Sequence, residues 1–210
     1  MRLWAFLLAA LLLSLERLCY VWAWHLPESF RAFCARHAAA VLGEPVAALQ
    51  KLFYGFKGLQ LAVFIGWCYL HGGGAWASLS ENLLALTVGG ASLLVGQLLN
   101  LSVFYRLGRV GVFYGNRFGY EIPWRREFPF SLLKHPQYVG AVLSIWGFFL
   151  ATRFPYADWY ALPILETAYY ALGIRFEQTK NSAANYKVSP HCSPQESEDE
   201  ESFGVLTRRK

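Results

Sequence analysis

Charge is scarce in this sequence. Charged residues make up 16% of the 210, against about 25% in an ordinary soluble domain, which excludes a solvated surface over most of the chain. Cysteine is sparse as well. The four, Cys19, Cys34, Cys68 and Cys192, contain no C-x-x-C pair. That excludes the usual zinc and disulfide frameworks and leaves free thiols, so no metal is expected. No segment repeats at a period of about 20–50 residues, which excludes a solenoid. The apolar stretches do not alternate over ~10 residues, which excludes the strands of a membrane barrel.

What is present is apolar and aromatic. Hydrophobic residues make up 55% of the chain and aromatics 17%, gathered into long runs. About 20 apolar residues at helical rise span a bilayer core. A chain in lipid must pair its own amides, which helices do. The runs fall at about 3–24, 52–70, 83–104, 138–152 and 156–174. They predict an all-α, polytopic transmembrane bundle of about five helices. The first run also has the look of a signal peptide, but no small-x-small site follows it, so it reads as a retained helix. Glu16 and Arg17 sit inside that run, where charges face a cavity or one another. Residues 27–51 read as an interfacial helix interrupted at Pro45. Lys57 sits near the start of the second run, positioned to snorkel. Gly89, Gly90, Ser92 and Gly96 in the third run allow close helix approach.

The formal net charge of +5 is unevenly spread. Residues 188–210 form a Ser-, Pro- and acid-rich tail, expected to be disordered, and residues 1–187 form the membrane domain. The 72–82 loop has no Lys or Arg, whereas 105–137 has six bases and 27–51 has three. Basic loops stay in the cytosol. The N-terminus is therefore expected outside and the C-terminus in the cytosol. The 105–137 segment and residues 174–187 then meet at one cytosolic surface. Bases confined to loops between apolar spans fit a lipid bilayer as partner, and no nucleic-acid partner is expected.

Three features at that surface carry chemistry. Gly108, Gly111, Gly115 and Gly119 lie in one short stretch, the last three spaced by four. On a helix they would line one face, serving close packing or leaving bare backbone against which a flat ligand can lie. His135-Pro136-Gln137-Tyr138-Val139-Gly140 stands where the basic segment enters an apolar helix. Glu177 lies just past the fifth run, where a carboxylate is either a solvated helix end or a holder of a cation or ribose.

The stretch Leu107–Gly140, above all Phe128-Pro-Phe130 followed by the His-Pro-x-Tyr-x-Gly pattern, resembles the membrane phospholipid methyltransferases, which are related to the isoprenylcysteine carboxyl methyltransferases. The resemblance runs over roughly residues 83–186, with a weaker echo in Tyr20–Arg36. It implies S-adenosylmethionine as cofactor at a cytosolic-face site, without a Rossmann fold, and a membrane phospholipid as substrate. The implied activity is N-methylation of phosphatidylethanolamine or its mono- and dimethylated forms, in an internal membrane such as the endoplasmic reticulum. The family's Gly-x-Gly falls on Leu94-Val95-Gly96 and its paired glutamates on Phe176-Glu177, each keeping only the second member.

On this reading the cofactor is held by Gly96, Gly108, Gly111, Gly115, His135, Pro136, Tyr138, Gly140 and Glu177. Tyr120, Arg125, Arg126 and Lys134 face the lipid, the three bases placed for its phosphate. Tyr105, Tyr114, Phe118, Tyr120, Trp124 and Tyr138 offer aromatic faces to a methylated ammonium. The acceptor amine must be neutral to attack. His135 has the pKa of a base near neutrality, or it contacts the cofactor instead. Glu166, three helical turns before Glu177 on the same face, is the second catalytic candidate, pointing toward the headgroup. Two rivals remain: a carboxyl methyltransferase, and a scaffold that kept the fold and lost catalysis.

Overall fold

The computed structural model describes residues 3–38, 41–71, 78–122, 125–152 and 159–186. Trp124, the start of the fifth apolar run and the acidic tail lie outside them. The described chain is helical, its one ladder contact being an isolated bridge between Leu79 and Thr152. The elements are α1 (Leu3–His25), α2 (Pro27–Phe33) running into a π turn (Cys34–Ala38), α3 (Pro45–His71), α4 (Leu83–Val112), a 3₁₀ turn (Gly115–Arg117), α5 (Pro136–Ala151) and α6 (Ala161–Tyr186).

Helix ends follow local chemistry rather than the apolar runs. Pro45 does not interrupt a helix; it opens α3, because a proline at the first position has no amide to lose. Pro136 opens α5 in the same way. Asn82 caps α4, its Oδ1 accepting from the amides of Leu84 (3.0 Å) and Ala85 (3.2 Å), the bond a free first turn requires. Beyond the apolar run α4 continues to Val112, with Gly108 at φ 63° and ψ −178° breaking its line.

Among the described residues, two helices are long and apolar enough to cross a membrane, Leu3–His25 and the stretch Leu83–Arg117. Only 22% and 17% of their apolar windows are buried. A core helix of a soluble protein would be mostly covered, whereas here Leu3, Trp4, Leu7, Leu8 and Leu11 of α1 and Leu94, Leu98 and Leu101 of α4 stand exposed. Such an apolar face is stable against lipid and costly against water.

The long helices pair with alternating direction. Trp67 near the end of α3 packs on Phe6 near the start of α1, and Lys57 reaches Glu16 further along. Helices α4 and α5 meet backbone to backbone. A Cβ on Gly96 would lie 2.5 Å from the Gly140 carbonyl oxygen, and one on Gly140 would lie 2.8 Å from that of Gly96. One turn pair along, a Cβ on Gly89 would lie 2.8 Å from the Gly147 oxygen, and one on Gly147 would lie 2.6 Å from that of Gly89. Four glycines thus form a seam of the small-residue kind that brings helices into contact in lipid. Gly96 and Gly140, expected from the resemblance to help hold the cofactor, present their backbones to each other.

Two apolar clusters flank the middle of the molecule. One gathers Phe30, Leu49, Val103, Phe113 and Phe118 around the end where α1 closes. The other gathers Leu13, Phe64, Trp67, Phe149 and Leu162 toward the opposite end. Between them the helices leave a cavity.

Candidate functional site

The cavity measures about 720 Å³, within the range of ~300–1,000 Å³ typical of ligand sites. Helices α1, α3, α4 and α5 supply most of its wall, and α6 contributes Tyr170 and Glu177. A second cavity of about 220 Å³ opens between α1 and α6. Five residues line both: Arg17, Tyr20, Tyr114, Tyr138 and Glu177. They form the partition between the two spaces.

Glu177 is the hub of that partition. Its Oε1 accepts hydrogen bonds from the Tyr114 hydroxyl at 2.7 Å and the Tyr138 hydroxyl at 2.5 Å. The carboxylate therefore ties α6 to the turn after α4 and to the first turn of α5. Tyr138 packs against α6 at Gly173, where a built Cβ would make ordinary van der Waals contact with its ring at 3.6 Å. Tyr114 reaches Glu177 from a left-handed backbone at φ 56°, a conformation costing a non-glycine residue about 1–3 kcal/mol and concentrated at functional sites. Aromatic edges enclose the same point. Tyr20 and Trp24 pack on Tyr114 with ring centroids 5.9 and 5.0 Å away, and Tyr170 packs on Tyr138 at 5.8 Å. A carboxylate beside several aromatic faces is chemistry for holding a cation.

Away from Glu177 the wall is charged. Glu16 accepts from Lys57 Nζ at 3.1 Å. Lys57 also donates to Gln60 at 3.0 Å, and Gln60 Nε2 donates to Glu166 at 3.0 Å. The guanidinium of Arg17 lies 3.8 Å over the Tyr170 ring. Lys57 does not snorkel to a surface; it is paired inside the bundle. Glu166 is fully buried and lines neither cavity, with Gln60 between it and the open space.

The remaining sequence-derived residues divide cleanly. Gly111 lines the large cavity. Gly115 is buried in the 3₁₀ turn, where a Cβ would meet the Val110 carbonyl oxygen at 2.7 Å. The expected helical stripe of Gly111, Gly115 and Gly119 does not form. Helix α4 ends at Val112, Tyr114 turns left-handed and Gly119 sits at φ 90°. Gly108 is exposed at the break in α4. Pro136 is buried as the first residue of α5.

His135 precedes α5 and lines neither cavity. It lies at the rim, its ring 6.1 Å from Tyr138 and its Nε2 3.1 Å from Gln178 Nε2. Partial burial, aided by Lys134, pushes its pKa below the ordinary 6.5, and Glu177 opposes the shift. The imidazole is thus neutral at neutral pH. Arg125, Arg126 and Lys134 are exposed and line neither cavity. Tyr120 is exposed and donates to Glu44 at 3.2 Å. The basic side chains on the cavity wall are instead Arg17 and Lys57. Arg17 was visible in the sequence as a charge inside an apolar run. Its nearness to Tyr170, like the pairing of Lys57 with Glu16, joins segments far apart in the chain and leaves no local signal.

Residues 84–183 match the family model described as phospholipid methyltransferase. A phosphatidyl-N-methylethanolamine N-methyltransferase of Arabidopsis thaliana is 32% identical over 141 residues, covering 66% of this chain and 75% of that protein. A Schizosaccharomyces pombe protein of the same name is 36% identical over 86 residues, covering 40% of this chain and 42% of its own length. No solved structure matches.

Proposed function

Because this chain belongs to the phospholipid methyltransferase family, we propose that it is a membrane enzyme that N-methylates phosphatidylethanolamine or its mono- and dimethylated forms toward phosphatidylcholine, with S-adenosylmethionine as donor. The observation that carries this reading is the Glu177 carboxylate, bonded by two tyrosines on a partition between two cavities. One cavity is large enough for a cofactor, and the other lies between α1 and α6, where a lipid can enter sideways.

The residues present fit the donor. S-adenosylmethionine supplies a methyl group on a sulfonium cation. Glu177, Tyr114 and Tyr138 would hold it by charge and by hydrogen bonding, with Gly111 and Gln137 on the wall beside them. Asn100 Oδ1, buried on the same wall without a hydrogen-bond partner, is an acceptor still to be satisfied. Transfer by in-line displacement asks the protein mainly for positioning and for charge placed in advance. Tyr20, Trp24, Tyr114 and Tyr138 surround the amine with π faces, which favour it more as it gains methyl groups and charge. His135, kept neutral by partial burial, stands at the rim beside Tyr138 and outside both cavities, so it would receive the proton the amine must lose by relay through solvent rather than by direct contact. Glu166 acts through Gln60 and Lys57 as a positioning residue for the charged wall.

In this reading the five long helices all cross the bilayer. The His135 and Glu177 end faces the cytosol, and the membrane is the endoplasmic reticulum. The test is incubation of the purified chain with methyl-labelled S-adenosylmethionine and each of three acceptors: phosphatidylethanolamine and its mono- and dimethylated forms. Label in the lipid headgroup is expected. Label in a prenylated cysteine peptide but in no lipid would identify a carboxyl methyltransferase instead.

A further inference from the structure

We propose that Arg17, on α1 and outside the residues that match the family model, is the anchor for the phosphodiester of the lipid headgroup. The proposal rests on the N-methylation reading above. Arg17 sits within the apolar helix α1 and lines both cavities. A charge at such a depth is retained for a partner, and the partner within the protein is incomplete. Its Nη2 comes no closer than 3.7 Å to Glu16, and neither Nε nor Nη2 makes a hydrogen bond, although both are buried. Its plane is fixed by the Tyr170 ring beneath it at 3.8 Å.

Lys57 differs. Its ammonium is shared among Glu16 Oε2 (3.1 Å), Gln60 Oε1 (3.0 Å) and Tyr170 Oη (3.4 Å), which uses all three of its donors. Glu16 is therefore committed to Lys57, and Glu166 stands behind Gln60 away from the wall. Of the two cations on this wall, Arg17 is the one with donors to spare, and a planar fork of N–H donors fits a phosphate better than a point charge does. The donor molecule carries no phosphate, whereas every acceptor in the proposed series carries one, at a fixed short distance from its amine. With the amine at the aromatic faces around Glu177 and the phosphate at Arg17, a zwitterionic headgroup would lie along the partition with each charge matched. The exposed Arg125, Arg126 and Lys134 cannot do this, because they line neither cavity.

The competing occupant is the carboxylate of S-adenosylmethionine. The test uses the full chain in detergent, with bound lipid counted by native mass spectrometry. Dioleoylphosphatidylcholine is compared with a dioleoyl lipid bearing a trimethylammonium headgroup and no phosphate. The unmodified protein should prefer the phospholipid by about tenfold or more, the worth of a charge-assisted hydrogen bond, and Arg17→Gln should abolish the preference. Equal binding of the two lipids by the unmodified protein overturns the proposal. So does a preference that survives in Arg17→Gln, or an Arg17→Gln that weakens S-adenosylmethionine binding while the lipid preference stands. If Arg17→Gln does not fold, Arg17→Lys keeps the charge and loses the fork. A reduced preference then supports the site and an unchanged one overturns it. A protein that holds phospholipid through Arg17 but methylates no lipid removes the N-methylation reading and leaves this site. Methylation with an unaltered preference in Arg17→Gln does the reverse.

Discussion

The Tyr138 hydroxyl donates a 2.5 Å hydrogen bond to Glu177, locking the start of α5 to α6 at the partition between the two cavities. Tyr114 donates to the same oxygen at 2.7 Å, so the carboxylate gathers three parts of the chain. Glu177→Gln keeps the shape and removes the charge. It should lower kcat/KM for S-adenosylmethionine by about 10- to 100-fold, the value of charge-assisted hydrogen bonds in a cavity. Tyr138→Phe, which leaves Tyr114 in place, should cost less, about tenfold. Steady-state kinetics in lipid nanodiscs, with the donor varied, separate the two.

The α4–α5 seam makes a prediction about stability rather than chemistry. Gly96→Ala places a Cβ 2.5 Å from the Gly140 oxygen and from Ser144 Oγ. Overpacking of this kind costs about 1–3 kcal/mol. The unfolding midpoint in detergent should fall, with no added S-adenosylmethionine needed to see the effect. Gly90→Ala is the matched control. It is the next residue after Gly89 and has nothing within 4 Å of its built Cβ, so its midpoint should hold or rise.

Lys57→Met should destabilise the bundle by about 3 kcal/mol, because it leaves Glu16, 5% exposed, as a buried charge whose 3.1 Å partner is gone. The double change Glu16→Leu with Lys57→Met should recover part of that loss, since it removes the stranded carboxylate but also takes from Arg17 its 3.7 Å neighbour. A thermal double-mutant cycle measures the coupling.

His135 gives a pH signature with a definite sign. Partial burial lowers its pKa from 6.5. Below pH 6.5 the unfolded chain therefore binds a proton that the folded chain resists, and stability falls as pH drops from 6.5 toward the folded value. Above pH 6.5 both states are neutral and the contribution is flat. His135→Gln, which cannot charge, should lack the acid-side loss. Unfolding midpoints taken across pH 5–7.5 for both proteins check this.

These expectations show what could be read from the sequence and what could not. Apolar runs located α1 and the body of α4 because bilayer thickness and helical rise set their length. They missed that Pro45 starts α3 and that α4 continues past the run, because helix ends answer to caps and amides rather than to lipid. The meeting of residues 105–137 with the end of α6 followed from positive charge in the loops. The glycine stripe did not survive, because a spacing of four implies a face only while the chain stays helical, and Tyr114 leaves the helix. Gly96 was legible as a small residue, but that Gly140 is its neighbour belongs to the pairing of two helices. Arg17 was legible as a costly charge, and Tyr170 beneath it was not.

The central claim is that a lipid amine is methylated at the Glu177 partition. Single-turnover transfer of labelled methyl from S-adenosylmethionine to phosphatidyl-N-methylethanolamine in nanodiscs tests it most directly, run on the unmodified chain and on Glu177→Gln side by side. The account predicts labelled dimethylated lipid from the first and a rate lower by about 10- to 100-fold from the second. Equal rates from the two proteins, or no labelled lipid from the unmodified chain, would contradict it.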